Sequence, residues 1–299
     1  MQFWHEPSLG SRYREGMARP VYRPSLSLVT GASSGIGAAF ARALAARGSD
    51  LVLVARREDR LRALASELEA AHSIRCLVVA LDLSTPGPGA ALLDRLRDDL
   101  GGRLPDLVVN NAGFGIQGQV VATEPDRLAQ EVAVDVAAVV DLCRAFVEPM
   151  IARGSGVILN IASTAAYQPV PGMAVYAASK AFVKLFTEAL WHEARPHGVT
   201  VFAVSPGAVA SEFFENGRRI SAPTPYWEPS RIADAGLAAL DRGLARGAGR
   251  GARRSSHSGL RVPPEVMPGF ANRAAAFSTR FVPRRVMLHF GAKLASGRG

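Results

Sequence analysis

Tyr176 and Lys180 stand four residues apart in the stretch VYAASKAF, in a chain with 5 tyrosines and 32 arginines but only three lysines. Four residues make one helical turn, so in a helix both side chains project from one face. A free phenol, with a pKa of about 10, is a sluggish proton donor at neutral pH, and a cation one turn away favours its phenolate. The pair could thus serve proton transfer; its other reading is a solvated helix face that carries an aromatic and a charge. A second stretch, TGASSGIG at 30–37, offers Gly31, Gly35 and Gly37. Glycines there leave room for a tight turn, for close backbone approach to a pyrophosphate and for helix-on-strand packing, while a helix N-terminus supplies free N–H groups and positive dipole. A glycine turn serving packing alone is the alternative, and the spacing G-x-x-x-G-x-G differs from the commoner dinucleotide fingerprint.

The elements around these stretches alternate. LSLVT (26–30), DLVLVAR (50–56), IRCLVVALDL (74–83), DLVVN (106–110), GVILNIAS (156–163) and VTVFAVSPG (199–207) read as six strands. Helical patterns fall between them at 35–48, 58–72, 88–100, 124–153 and 173–197. Strands that are apolar almost throughout are buried on both faces, and intervening helices imply parallel crossovers. The expected fold is α/β: a Rossmann-like, doubly wound parallel sheet with helices on both faces, in a single domain. LRVPPEVMPG (260–269) is the candidate for a seventh strand, and its prolines confine it to an edge.

Composition sets limits. At 299 residues, 48% hydrophobic and 20% charged, the chain can bury a full core. The net charge of +9 is uneven: +2 over 1–24, −3 over 25–245 and +10 over 246–299. These segments are the expected organisation: an N-terminal extension with Met17 as a candidate initiator, a catalytic domain at 25–245, and a basic C-terminal extension with amphipathic helices. A slightly acidic middle argues against a nucleic-acid-binding core. Cys76 and Cys143 lack C-x-x-C spacing, no apolar leader is evident, and no run reaches the roughly 18 apolar residues of a bilayer span, so a reducing cytoplasm is expected. HEARPH (192–197) has Pro196 where H-E-x-x-H needs its second histidine, and no metal site is expected. The G-x-S-x-G elbow of α/β hydrolases is lacking too.

The sequence resembles the short-chain dehydrogenase/reductase family over about residues 25–215. The matching pieces, in order, are TGASSGIG (30–37), LDL (81–83), NNAG (110–113), NIAS (160–163), YAASK (176–180) and SPGAVAS (205–211). The resemblance implies an oxidoreductase that interconverts a ketone or aldehyde and an alcohol by hydride transfer from a nicotinamide cofactor. In that chemistry Ser163 hydrogen-bonds and orients the substrate oxygen, Tyr176 passes the proton, and Lys180 tunes Tyr176 and holds the nicotinamide ribose. The family's fourth catalytic residue is usually Asn, whose main-chain carbonyl holds a water of the proton relay; here Asp135 falls in its place. Asp135→Asn is accordingly expected to keep or raise turnover.

Cofactor contacts implied by the family are Gly31, Ser33, Ser34, Gly35, Ile36 and Gly37 at the glycine turn; Asp82 and Leu83 near the adenine; Asn111, Ala112 and Gly113 along the adenosine half; and Pro206, Gly207, Val209 and Ser211 near the nicotinamide. The second strand ends in VARR (54–57) without the acid that NAD-specific relatives place there. Arg56, with Ser33 beside it, could clamp a 2′-phosphate, so NADP(H) is expected over NAD(H). Phe213, Phe214, Tyr226 and Trp227 would line a substrate lid, with Gln168, Pro169 and Val170 opposite, which suggests a small hydrophobic substrate. The family implies a homodimer or homotetramer through the helices at 124–153 and 173–197. The basic tail adds an expected peripheral membrane contact. A cofactor-binding regulatory or scaffold protein with lost turnover is the alternative function.

Overall fold

The computed structural model describes residues 20–210, 212, 226–248 and 260–288. Its strands are β1 (Leu26–Thr30), β2 (Asp50–Ala55), β3 (Cys76–Ala80), β4 (Leu107–Asn110), β5 (Gly156–Ile161), β6 (Val199–Val204) and β7 (Glu265–Val266). They form one parallel sheet in the order β3-β2-β1-β4-β5-β6-β7. The chain starts at β1, winds outward to β3, then returns past β1 to β4. That reversal opens a crevice at the carboxyl ends of β1 and β4, where such sheets bind ligands.

The helices are α1 (Gly35–Ala45), α2 (Glu58–His72), α3 (Pro88–Leu100), α4 (Pro125–Val132), α5 (Ala138–Arg153), α6 (Ala174–Ala194), α7 (Pro229–Ala248) and α8 (Phe270–Ser278). Residues alternate across each strand, and the two faces build two cores. Val29, Leu51, Leu53, Val109 and Phe202 belong to the core with Phe40, Leu44, Leu61 and Leu237. Leu28, Val52, Val54, Val108 and Ile158 belong to the other, with Leu92, Leu142, Phe146 and Val183. Helices thus cover both faces, as the apolar strands require. Each such buried side chain contributes about 1.5–3 kcal/mol of transfer free energy.

Two junctions differ from the sequence expectation. The helical pattern at 124–153 is one continuous rod only in outline: α4 and α5 are joined by a π turn at Ala133–Ala137. Such wide turns frequently mark functional positions, and this one holds Asp135 at its centre. The fold also reaches past both expected domain limits. Tyr22 is buried, its N–H donating to Asp241 Oδ1 at 2.7 Å. At the other end, β7 pairs with β6 beyond residue 245, as the edge strand its prolines allow. Both cysteines are free thiols, and burial pushes each up to about 12. His192 and His197 are exposed. No described helix is long and apolar enough to cross a membrane.

Candidate active site

The glycine turn joins β1 to α1. Gly31 and Gly35 take the left-handed backbone, at φ +65° and +55°. A Cβ on Gly37 would lie 2.3 Å from the Gly31 carbonyl oxygen, so glycine there is what lets the helix close on the turn. Ser34 is the N-cap of α1 yet makes no side-chain bond to the first turn, which carries no acid. The leading N–H groups and the positive helix end therefore face the crevice uncapped by a side chain, which suits a phosphate. The NNAG stretch is tied to the same turn: Asn111 and Ala112 N–H both donate to Thr30 Oγ1 at 3.0 Å, and Asn111 Nδ2 donates to the Thr30 carbonyl at 2.9 Å. Ile36 packs on the core beneath. Asp82 accepts from the Ser84 N–H and hydroxyl, which hold its carboxyl below the usual range, and Leu83 is buried next to it.

The first asparagine of each family piece has another task. Asn110 on β4 and Asn160 on β5 are register partners, and Asn110 Nδ2 donates to Asn160 Oδ1 at 2.9 Å. Asn160 Nδ2 passes the chain on to Thr187 of α6 at 2.9 Å. This buried amide ladder fixes α6, and with it Tyr176 and Lys180, against the sheet.

The arginine over the turn is Arg57, whereas the sequence pointed to Arg56. Arg57 Nη2 donates to Ser33 Oγ and Ser34 Oγ, each at 3.0 Å. Its Nη1, with that of Arg60, also meets Glu212 Oε2 at 2.9 and 2.8 Å. Arg56 is exposed and acts on the Asp82 carboxyl through charge. Both arginines are exposed beyond the end of β2 at Ala55, and neighbouring residues there leave toward opposite sides.

Ser163, Tyr176, Lys180 and Asp135 do come together. Ser163 is the N-cap of a short 3-10 turn, its Oγ accepting from Ala165 N–H at 3.1 Å and sharing a hydrogen bond with the Tyr176 hydroxyl. Lys180 Nζ lies 5.7 Å from the Tyr176 ring centroid and donates to the Ile161 carbonyl at 3.4 Å. Asp135 Oδ2 lies 3.0 Å from Lys180 Nζ, and Asp135 Oδ1 accepts from Phe114 N–H at 3.0 Å. The pair is buried, with side chains 4% and 0% exposed. A Cβ on Gly113 would stand 2.8 Å from Asp135 Oδ1 and 3.1 Å from Lys180 Nζ, so this glycine makes room for the ion pair.

These contacts correct the expected electrostatics. Burial dominates Tyr176 and raises its pKa; Lys180 and the Ser163 bond pull it down, but Asp135 and Glu131 push it up again. The net direction is upward, because burial of the phenol outweighs the pull of Lys180 and Ser163. Lys180 itself is desolvated, yet Asp135, Tyr176 and Glu131 together outweigh burial and raise its pKa. Burial likewise raises Asp135 against the pull of Lys180.

Residues 26–220 match the short chain dehydrogenase family. The chain belongs to that family. It is 35% identical over 199 residues to a probable oxidoreductase, EphD, of Mycobacterium tuberculosis, covering 66% of this chain and 33% of that one. The chain thus spans about a third of the length of this relative. It is 32% identical over 218 residues to the very-long-chain 3-oxoacyl-CoA reductase of Anas platyrhynchos, covering 70% of this chain and 69% of that protein. Among solved structures, a short-chain dehydrogenase from Sphingobium yanoikuyae in complex with NADPH superposes with a TM-score of 0.71 at 32% identity, covering 86% and 93% of the two chains.

In this short-chain dehydrogenase the loop after β6 lies on a C-terminal support that sequence reading missed. The Pro206 carbonyl accepts from Thr164 N–H at 2.9 Å, and a Cβ on Gly207 would stand 2.8 Å from the Asn272 side chain of α8. Val209 bridges to Trp227, whose ring is covered by Arg231 at 4.0 Å and abuts Gly269, so Trp227 acts as packing for this loop. Ser211, Phe213 and Phe214 lie outside the described residues. Nothing in the sequence marked Asn272, because its place beside Gly207 depends on how α8 folds back onto the loop after β6. Glu131 was also missed, though an acid one turn before Asp135 in the apolar run EVAVDVAAVV was a readable signal.

Proposed function

We propose that the protein is an NADP(H)-dependent oxidoreductase that interconverts a ketone or aldehyde and an alcohol on a hydrophobic substrate. The observation that carries this reading is the Ser163–Tyr176–Lys180 cluster, with Ser163 and Lys180 buried and Tyr176 half-buried, together with the uncapped N-terminus of α1. The residues present fit a dinucleotide phosphate: glycines that bring backbone close, free leading N–H groups, and Arg57 held over two serine hydroxyls. Arg57, with Arg56 exposed next to it, suits the 2′-phosphate role, and the NADPH complex of the Sphingobium relative supports NADP(H) as the cofactor. When bound, the nicotinamide supplies or accepts the hydride. Ser163 orients the substrate oxygen and Tyr176 gives it a proton, while Lys180 shifts charge toward the phenol and holds the ribose.

The 3-oxoacyl-CoA reductase relative supports an acyl ketone as one substrate class. NADPH oxidation across 3-oxoacyl thioesters, steroids, aromatic aldehydes and quinones is the test. At least one class should turn over, and Tyr176→Phe should lower its kcat by about 10²–10⁴-fold. Tight NADPH binding with no turnover, unaffected by Tyr176→Phe, would favour the scaffold function instead.

Surface features support the proposed partners. Val132 on α4 with Phe182 and Leu185 on α6 are exposed apolar residues at the helices through which family members pair, which suits a homodimer or homotetramer. Phe270, Phe277, Phe281, Val286 and Leu288 are exposed among Arg273, Arg280, Arg284 and Arg285, a pattern that suits an anionic membrane surface. Equal sedimentation of the full chain with anionic and neutral liposomes would remove the membrane contact.

A further inference from the structure

Glu131 is fully buried in α4, four residues before Asp135 and on the same side of the rod. A carboxyl group in such a place is costly unless it is neutral or paired. Its Oε1 accepts only a long bond from Ile116 N–H, at 3.4 Å, and its Oε2 has no hydrogen-bond partner among the described residues. The pocket already contains one matched pair, Lys180 with Asp135. A second ionised carboxylate would leave it with net negative charge beside a phenol that has to change its protonation state. The charged and titratable groups bearing on Glu131 are Asp135 in the π turn and Lys180 and Tyr176 on α6. Arg127, one turn earlier on α4, stands over the Phe114 ring at 5.9 Å.

Resting on the oxidoreductase reading, we propose that Glu131 is a positioning residue of the proton-transfer site, a second buried carboxyl group whose protonation governs how readily the Tyr176 hydroxyl releases its proton. Burial, with Asp135 adding to it, pushes Glu131 up to about 7, so the group changes state around neutral pH. Below that pH Glu131 is neutral and Lys180 with Asp135 balances. Above it the added negative charge holds the proton on Tyr176. Alcohol oxidation, which requires the phenolate, is restrained as pH rises; carbonyl reduction, which requires the phenol, keeps its donor over a wider pH range.

Glu131→Gln preserves size and the acceptor for Ile116 N–H but can never ionise. Its kcat/KM for alcohol oxidation should rise about threefold to tenfold near pH 8, with the alkaline limb moved to lower pH, while reduction near pH 6 stays within about twofold. Glu131→Asp should restore part of the wild-type profile. A variant profile that superimposes on wild type in both directions overturns the proposal. A second readout does not depend on turnover: infrared difference spectra between about pH 6 and pH 8 should show a protonated-carboxyl band in the wild type that Glu131→Gln lacks. If that band is present while no substrate turns over, the buried titrating carboxyl stands and the oxidoreductase reading alone has failed; if it is absent, the proposal fails whatever the activity.

Discussion

The two ends of the crevice handle charge in opposite ways. At the adenosine end Arg57, Arg60 and Glu212 meet in solvent, with side chains 42%, 44% and 58% exposed. At the Tyr176 end Lys180, Asp135 and Glu131 are all but sealed from water. Water and salt screen the first group, so its ion pairs add little stability and can exchange partners. In the second group each charge depends on its neighbours, and adding or removing one shifts all the others. A site that must admit and release a phosphate benefits from the first arrangement. The proposed proton transfer at Tyr176, which must hold a proton at one atom, would benefit from the second.

This contrast can be tested by substitution at both ends. The largest expected effect is at the exposed end: Arg57→Ala should raise KM for NADPH about tenfold, far more than it lowers kcat, and should weaken the preference for NADPH over NADH. An unchanged cofactor preference would mean that the 2′-phosphate is read elsewhere. Next is Asp135→Asn, which keeps an acceptor for Phe114 N–H and removes the charge that opposes Lys180. Turnover should hold or rise by up to about fivefold, with the alkaline limb of oxidation moved to lower pH because Tyr176 loses a negative neighbour. A fall beyond about tenfold would show that the Asp135 carboxylate is itself required. The smallest is Glu212→Gln: freeing Arg57 and Arg60 should tighten NADPH binding by about twofold at low salt and by less at high salt. Equal gains at both salt concentrations would show that the contact is not screened as its exposure implies.

The sheet was legible because its strands are apolar on both faces and its helices keep their period, so β1 through β6 lie where the pattern sets them. The edge strand was legible for a different reason, since prolines exclude the interior of a sheet. What escaped was side-chain direction and distant contact. Arg56 and Arg57 are chemically identical, and only the folded chain shows that it is Arg57 that meets Ser33 and Ser34. Asn272 reaches Gly207 from a helix about 65 residues downstream, a distance along the chain that no local pattern encodes.

The residue types alone pointed to the family and to the members of the Ser163–Tyr176–Lys180 cluster, because a glycine turn, a Tyr–Lys helical step and a strand-end serine each follow from short-range geometry. Only the folded chain decided how acidic those groups are. Acidity depends on burial and on charges from separate elements: burial raises Tyr176 against the pull of Lys180, and the π turn adds Asp135, 3.0 Å from Lys180, to that rise.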